Sequence, residues 1–264
     1  MEKKDYIVAI IGAGNMGGAI AKGLTLVGSE LEIRLSDIDV DKLDAICDEF
    51  SDIYAFNSNT DAILDADLVI LAVKPWLIPV VCEEIKGSLN LSEQIIVSVA
   101  AGVNLDQLHE ALGAEAHIFR AIPNTAVEVF EGVTAISSRI VDEEIKITVL
   151  EIFEELGQVY FVPETQLNAY MSLASCGIAY AFRYIRAAMA GAVEMGIPPA
   201  QALEVIIQTL KGAAETLQFN ESHPEAEIDK VTTPGGITIK GLNAMEAHGF
   251  SNAVIQGLKA SHLK

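Results

Sequence analysis

The sequence predicts a two-domain protein: an N-terminal α/β domain built on a doubly wound, mostly parallel sheet, then an all-α C-terminal domain, with the change near Pro163. Three observations carry this. Before Pro163, short β-branched runs alternate with amphipathic stretches, the pattern of a parallel sheet with helices on both faces. A Gly-x-Gly-x-x-Gly stretch directly follows the first of these runs. After Pro163 the β-branched runs fade and an Ala-rich helical pattern takes over. At 264 residues and 51% hydrophobic content the chain is long enough for two cores, expected over residues 1–163 and 164–264.

Taken in order, Tyr6–Ile11 is an unbroken apolar run and reads as the first strand, with Ala19 to Leu24 as the helix after it. Leu31–Ser36 reads as the second strand, ending at Asp37 before a helix that starts near Val40. Leu68–Val73 reads as a buried strand running into Lys74-Pro75, and Gln94–Val99 as the next strand. His117–Ala121, Val133–Ser137 and Gln158–Val162 complete the strands. Helices are expected from Glu164 to about Met195, from Pro199 to about Phe219 and from Thr238 to the end.

The stretch Gly12-Ala13-Gly14-Asn15-Met16-Gly17 is a weak signal alone, but here it joins a strong strand to a helix. Gly12 permits the tight turn, Gly14 lets backbone approach a pyrophosphate, Gly17 allows close helix–strand packing, and the helix N-terminus carries the anion. This makes the sheet Rossmann-type and predicts NAD or NADP as cofactor. Asp37 lies twenty residues beyond Gly17, where an acid accepts hydrogen bonds from a ribose 2′-hydroxyl and repels a 2′-phosphate. It leans the reading toward NADH, as does the lack of an Arg just after the strand. Asp37, with Ser36 and Asp39, equally suits a cap for the following helix. Ligands of open parallel sheets bind at the carboxyl ends of strands, so Ala72, Val73, Lys74 and Pro75 should line the cofactor cleft. Lys74 reads equally as a solvated turn lysine. Ser98-Val99-Ala100-Ala101-Gly102 offers small residues where a bulky one would block a nicotinamide ring, and Arg120 to Thr125 adds polar groups at another strand end.

Charge and composition exclude other classes. Seventeen Lys and Arg against 37 Asp and Glu give a net charge of −20, which argues against nucleic acid or an anionic membrane as partner. No apolar run is long enough to span a membrane or form a signal-peptide core, so the expected location is the cytoplasm. Cys47, Cys82 and Cys176 have no metal-binding or redox spacing and read as buried thiols. The five histidines form no His-x-x-x-His pair, and no metal is expected.

The stretch Val231-Thr232-Thr233-Pro234-Gly235-Gly236-Ile237-Thr238-Ile239-Lys240-Gly241 interrupts the helical half. Alone it suits a surface loop. With paired glycines and a helix starting at Thr238, it equally suits an anion cradle made of backbone N–H groups, which an acidic protein needs to hold a small anion.

The Gly12–Gly17 stretch, Ala72-Val73-Lys74-Pro75, Ala100-Ala101-Gly102-Val103, Arg120 with Pro123-Asn124-Thr125, and above all Val231 to Leu242 resemble the pyrroline-5-carboxylate reductases. The resemblance covers nearly the whole chain, and its Pro-Gly-Gly-x-Thr loop is the specific part. It implies hydride transfer from NADPH or NADH to the C=N carbon of 1-pyrroline-5-carboxylate, giving L-proline. Carried over residue by residue, it implies that Thr233, Gly236, Ile237 and Thr238 hold the substrate carboxylate, with Thr238 also reaching the ring nitrogen. It implies that Asn59, Ala72 to Pro75 and Val99 to Ala101 contact the cofactor. It also implies a homodimer through the helical domain, with dimers assembled into larger rings.

Two departures stand out. Ala174-Ser175-Cys176-Gly177-Ile178-Ala179-Tyr180 lacks the proline usual in the family, which leaves the helix path there open and makes Cys176 either a core thiol or a site-lining residue. Ala126 replaces a common proline after Thr125. Two alternatives stand beside the resemblance. A β-hydroxyacid dehydrogenase would place a catalytic lysine on the long interdomain helix, yet Glu164 to Tyr180 contains none. A dinucleotide-sensing protein without turnover is the other.

Overall fold

In the computed structural model, residues 6–28, 31–139 and 142–262 are described. The strands are β1 Tyr6–Ile11, β2 Leu31–Ser36, β3 Ile53–Phe56, β4 Leu68–Leu71, β5 Ile95–Ser98, β6 His117–Ile122, β7 Gly132–Ser138 and β8 Gly157–Phe161. They form one sheet in the order β3-β2-β1-β4-β5-β6-β7-β8. β1 to β6 are parallel; β7 runs antiparallel to β6, and β8 parallel to β7. Strand order therefore reverses at β1 and β4, the place where such sheets open a ligand crevice.

β1 is apolar throughout because both its faces are covered. Val8 and Ile10 pack into one core with Ile20, Leu24, Ile33, Phe119 and Phe153. Ile7, Ala9 and Ile11 pack into the other with Val69, Leu71, Ile85, Leu108 and Leu112. The covering helices are α1 Asn15–Leu26, α2 Val40–Glu49, α3 Asn59–Ala62, α4 Ile78–Ile85, α5 Leu105–Leu112 and α6 Glu143–Glu154.

The described residues divide into two compact units, one ending at Ser175 and the other beginning at Cys176. Between Glu164 and Glu194 the expected single helix is instead a 3₁₀ turn at Glu164–Gln166, a short α7 at Leu167–Tyr170, a π-helical stretch at Met171–Ser175 and α8 at Gly177–Glu194. The widened turn ends at Ser175, before Ile178, which stands at the position of the absent proline and lies inside α8. α9 Pro199–Asn220 matches expectation to one residue, whereas α10 Pro224–Lys230 was not foreseen. The last expected helix is two, α11 Ile237–Ala247 and α12 Phe250–Ser261, because Gly249 takes a left-handed φ of 80° that stops the first.

Candidate functional site

In the first unit the carboxyl ends of β1, β2, β4 and β5 are level: Ile11 pairs with Ser36 and Leu71, and Leu71 with Ser98. Every expected cofactor residue follows one of these ends or reaches it. Gly12 N–H donates to Ser36 O at 2.7 Å, and Ala72 N–H to Ile11 O at 2.8 Å, so the glycine turn is fastened to strands on both sides.

Gly12 has a φ of 110°, and a Cβ there would sit 2.9 Å from the Ala72 carbonyl; a Cβ at Gly17 would strike the Gly12 carbonyl oxygen. Gly14, by contrast, has open space where a Cβ would be and stands at the N-cap of α1 with no capping side chain. The first N–H groups of α1 therefore face a clear approach with no protein anion upon them. This cradle fits a dinucleotide pyrophosphate. Asn15 is exposed, Met16 half-buried and Ala13 buried.

Asp37 is not the cap of α2; that position is held by Asp39. Its Oδ2 accepts the Ala13 N–H at 2.7 Å and its Oδ1 the Asp39 N–H at 2.9 Å, so it ties the glycine loop to the end of β2. Lys42 pairs with Asp39 at 2.8 Å. The hydrogen bond between them holds the Asp39 carboxyl below its usual range and raises the Lys42 ammonium. Ser36 Oγ donates to Asn59 Oδ1 at 2.7 Å, and Asn59 Nδ2 to Glu84 Oε2 at 3.0 Å.

Ala72 and Val73 are half-buried, Lys74 is exposed, and Pro75 opens a short 3₁₀ turn through Leu77. Lys74 thus has the exposure of a turn lysine while standing at the cleft. Val99 N–H donates to Leu71 O at 3.0 Å; Ala100 is buried and Ala101 exposed. Arg120 is not an open cleft residue. It is 5% exposed, with Nη1 donating to Glu164 Oε1 at 2.7 Å. Asn124 is also buried, accepting from Ala126 and Val133 N–H and donating to Ala174 O. Sequence reasoning missed Glu164; its one signal was a charge directly after the proline that ends the sheet.

The second unit, described by itself, carries the Pro-Gly-Gly-x-Thr loop. Gly236 N–H donates to Thr233 O at 2.9 Å, closing a tight turn through Pro234 and a left-handed Gly235 of φ 74°. A Cβ on Gly236 would lie 2.7 Å from Thr233 Oγ1, so a side chain there would crowd Thr233. Gly236 is the N-cap of α11; Ile237 and Thr238 are its first two residues, one position earlier than expected. No side chain caps this end and no acid lies in the first turn, so its N–H groups are open to an outside anion. Ile237 is 86% exposed, and Thr238 is exposed as well.

Cys82 alone is fully buried; Cys47 and Cys176 are intermediate, so the all-buried expectation holds for one of three. No group of His, Cys, Asp and Glu among the described residues could hold a metal ion. No helix of the described residues is long and apolar enough to cross a membrane.

Along its length the chain is 38% identical to the pyrroline-5-carboxylate reductase of Escherichia coli, over 98% of this chain and 95% of that one. It belongs to the pyrroline-5-carboxylate reductase family. Residues 164–264 match the model of pyrroline-5-carboxylate reductase dimerisation, and residues 7–102 that of NADP oxidoreductase, coenzyme F420-dependent. The second reductase-family match, pyrroline-5-carboxylate reductase 1 of Dictyostelium discoideum, is 37% identical over 99% of this chain, which spans only 49% of that longer protein. The Plasmodium falciparum pyrroline carboxylate reductase, solved with NADP bound, superposes with a TM-score of 0.87 at 25% identity, covering 98% of this chain and 95% of its own. Family membership sets aside the β-hydroxyacid dehydrogenase alternative, and the dimerisation match supports homo-oligomerisation.

Proposed function

We propose that this chain reduces 1-pyrroline-5-carboxylate to L-proline, with NADPH or NADH as hydride donor. Bound reduced nicotinamide supplies the hydride to the imine carbon; the C=N pair moves to nitrogen, which takes up a proton. An imine is already electrophilic, so the chain's work is to hold, orient and exclude water.

The observation that carries this reading is the uncapped N-terminus of α11, behind a turn in which a Cβ on Gly236 would crowd Thr233. In a chain of net charge −20, such an end can hold a small carboxylate through backbone N–H groups without a positive side chain. In this reading Thr233, Gly236, Ile237 and Thr238 bind the carboxylate through N–H and hydroxyl groups, and the Thr238 hydroxyl also reaches the ring nitrogen. Gly12 to Gly17, Ser36, Asp37, Asn59, Ala72 to Pro75 and Val99 to Ala101 hold the cofactor. Asp37 leans the preference toward NADH.

The domain boundary in this reading is 163/164, the assembly a homodimer through the helical domain with dimers arranged in a larger ring, and the location cytoplasmic. The test mixes purified protein with pyrroline-5-carboxylate and each reduced cofactor in turn, following cofactor absorbance and proline formation. Oxidation with stoichiometric proline is expected. Tight cofactor binding with no oxidation of either cofactor would make the protein a dinucleotide sensor.

A further inference from the structure

The buried Arg120 and the half-buried Glu164 form an ion pair that the proposed reaction does not use. Arg120 sits in β6 beside Ser98, the last residue of β5. Glu164 Oε1 accepts from Arg120 Nη1 at 2.7 Å, while Arg120 Nε is buried with no partner among the described residues. The same carboxylate oxygen accepts the N–H of Leu105 at 2.7 Å. Leu105 is the first residue of α5, and it ends the loop that leaves β5 at Val99.

The loop from Val99 to Asn104 is therefore held at both ends from one place. Its near end hangs from Ser98, the register partner of Arg120; its far end is fastened by the carboxylate that Arg120 holds. α5 does not need Glu164 in order to start. Asn104 Oδ1 accepts the Gln107 N–H at 2.8 Å and Gln107 Oε1 accepts the Asn104 N–H at 2.9 Å, a complete capping box. Glu164 adds location to a helix end that is already formed.

We propose that Glu164, backed by Arg120, is a positioning residue that sets the Val99–Asn104 loop against the nicotinamide end of the cofactor, so that hydride geometry depends on it. This rests on reading Val99 to Ala101 as cofactor contacts. Near-attack geometry is steep: a shift of about 1 Å costs roughly a hundredfold in rate.

Two variants test this. Glu164→Asp keeps the charge but draws the acceptor back by one methylene. Glu164→Gln combined with Arg120→Met removes both charges and so avoids an unpaired buried guanidinium. For each variant that keeps the parental Tm, kcat should fall about 10- to 100-fold with KM for the cofactor nearly unchanged. The isotope effect on kcat with 4-deuterated cofactor should rise, and amide exchange at Ala100 to Leu105 should quicken in the cofactor-free protein. Parental exchange in that loop, or faster exchange with parental kcat and isotope effect, would overturn the proposal. Failure of the parent to reduce the imine would instead sink the functional reading, and the exchange comparison would still decide whether Glu164 fastens the loop.

Discussion

Replacing Asp37 tests how the chain chooses its cofactor. The carboxylate stands at the end of β2, and the nearest lysine in sequence, Lys42, is committed to Asp39 at 2.8 Å. A 2′-phosphate placed there would meet an anion without a free cation following the strand. At about 5 Å, with an effective dielectric between that of a protein surface and water, each unit of like charge costs about 1–2 kcal/mol. Losing the acceptor for a ribose hydroxyl costs NADH about 1 kcal/mol more. Asp37→Asn should therefore raise the NADPH/NADH ratio of kcat/KM about tenfold or more. It keeps one oxygen for the Ala13 N–H, which the parent holds at 2.7 Å. Asp37→Ser should move the ratio the same way but lose more stability, about 1–3 kcal/mol, because its shorter side chain leaves backbone N–H groups unpaired. Initial rates for both cofactors at saturating imine, with Tm measured alongside, give the two quantities. A ratio within twofold of the parent in two folded variants would show that Asp37 serves only to brace the glycine loop.

Thr238→Ala should lower kcat/KM for the imine by about 10- to 100-fold, the loss of a transition-state hydrogen bond, and leave cofactor affinity intact. Equal loss of both would return the loop to a structural role. Gly17→Ala drives a Cβ into the Gly12 carbonyl oxygen and should abolish cofactor binding while lowering Tm; energy transfer from Trp76, the single tryptophan and 73% exposed two residues beyond Lys74, to reduced nicotinamide reads the binding. Burial pushes the Cys82 thiol up to about 11, so its thiolate fraction at pH 8 is about one in a thousand and grows tenfold per pH unit. Iodoacetamide at pH 8, followed by peptide mapping, should label Cys176 and spare Cys82; labelling of Cys82 in the folded protein would contradict its burial. Light scattering should give the mass of a dimer or a larger assembly, and a fully active monomer would refute association through the helical region.

The parts of the fold legible in the sequence are those where one local pattern had one solution. β1 and β2 were read to the residue: β1 is an unbroken apolar run ended by a glycine turn, as a strand covered on both faces should be, and β2, Leu-Glu-Ile-Arg-Leu-Ser, alternates apolar with polar residues up to an acid. β3 was missed for the opposite reason. It is a four-residue edge strand with Tyr54 and Ala55 exposed, so neither length nor alternation marks it. α10 carried a proline in its first turn followed by Glu225 and Glu227, a readable start, but the neighbouring loop signals outweighed it. The π-helical stretch at Met171–Ser175 has no such signature, since a shift from i+4 to i+5 bonding leaves the composition unchanged. For the site, the glycine motif announced itself, whereas Glu164 lies 44 residues from Arg120 and 59 from Leu105, and no periodicity joins them.

The second unit shows where reading a single chain ends. Of α8 and α9 only Ala192 and Ala202 are buried, while Phe182, Val193, Leu203, Val205 and Ile207 are exposed on the same two helices, and Val254 and Ile255 on α12. Side chains of this kind left in water in such numbers mark an association surface. The sequence showed the small residues Ala187, Ala188, Ala190, Gly191 and Ala192 but could not say whether they packed within one chain or between two. The dimerisation match over residues 164–264 supplies what periodicity lacks, because a second copy of these helices would cover that apolar surface. A two-fold interface is complementary to itself, and that property is absent from any one helix's spacing.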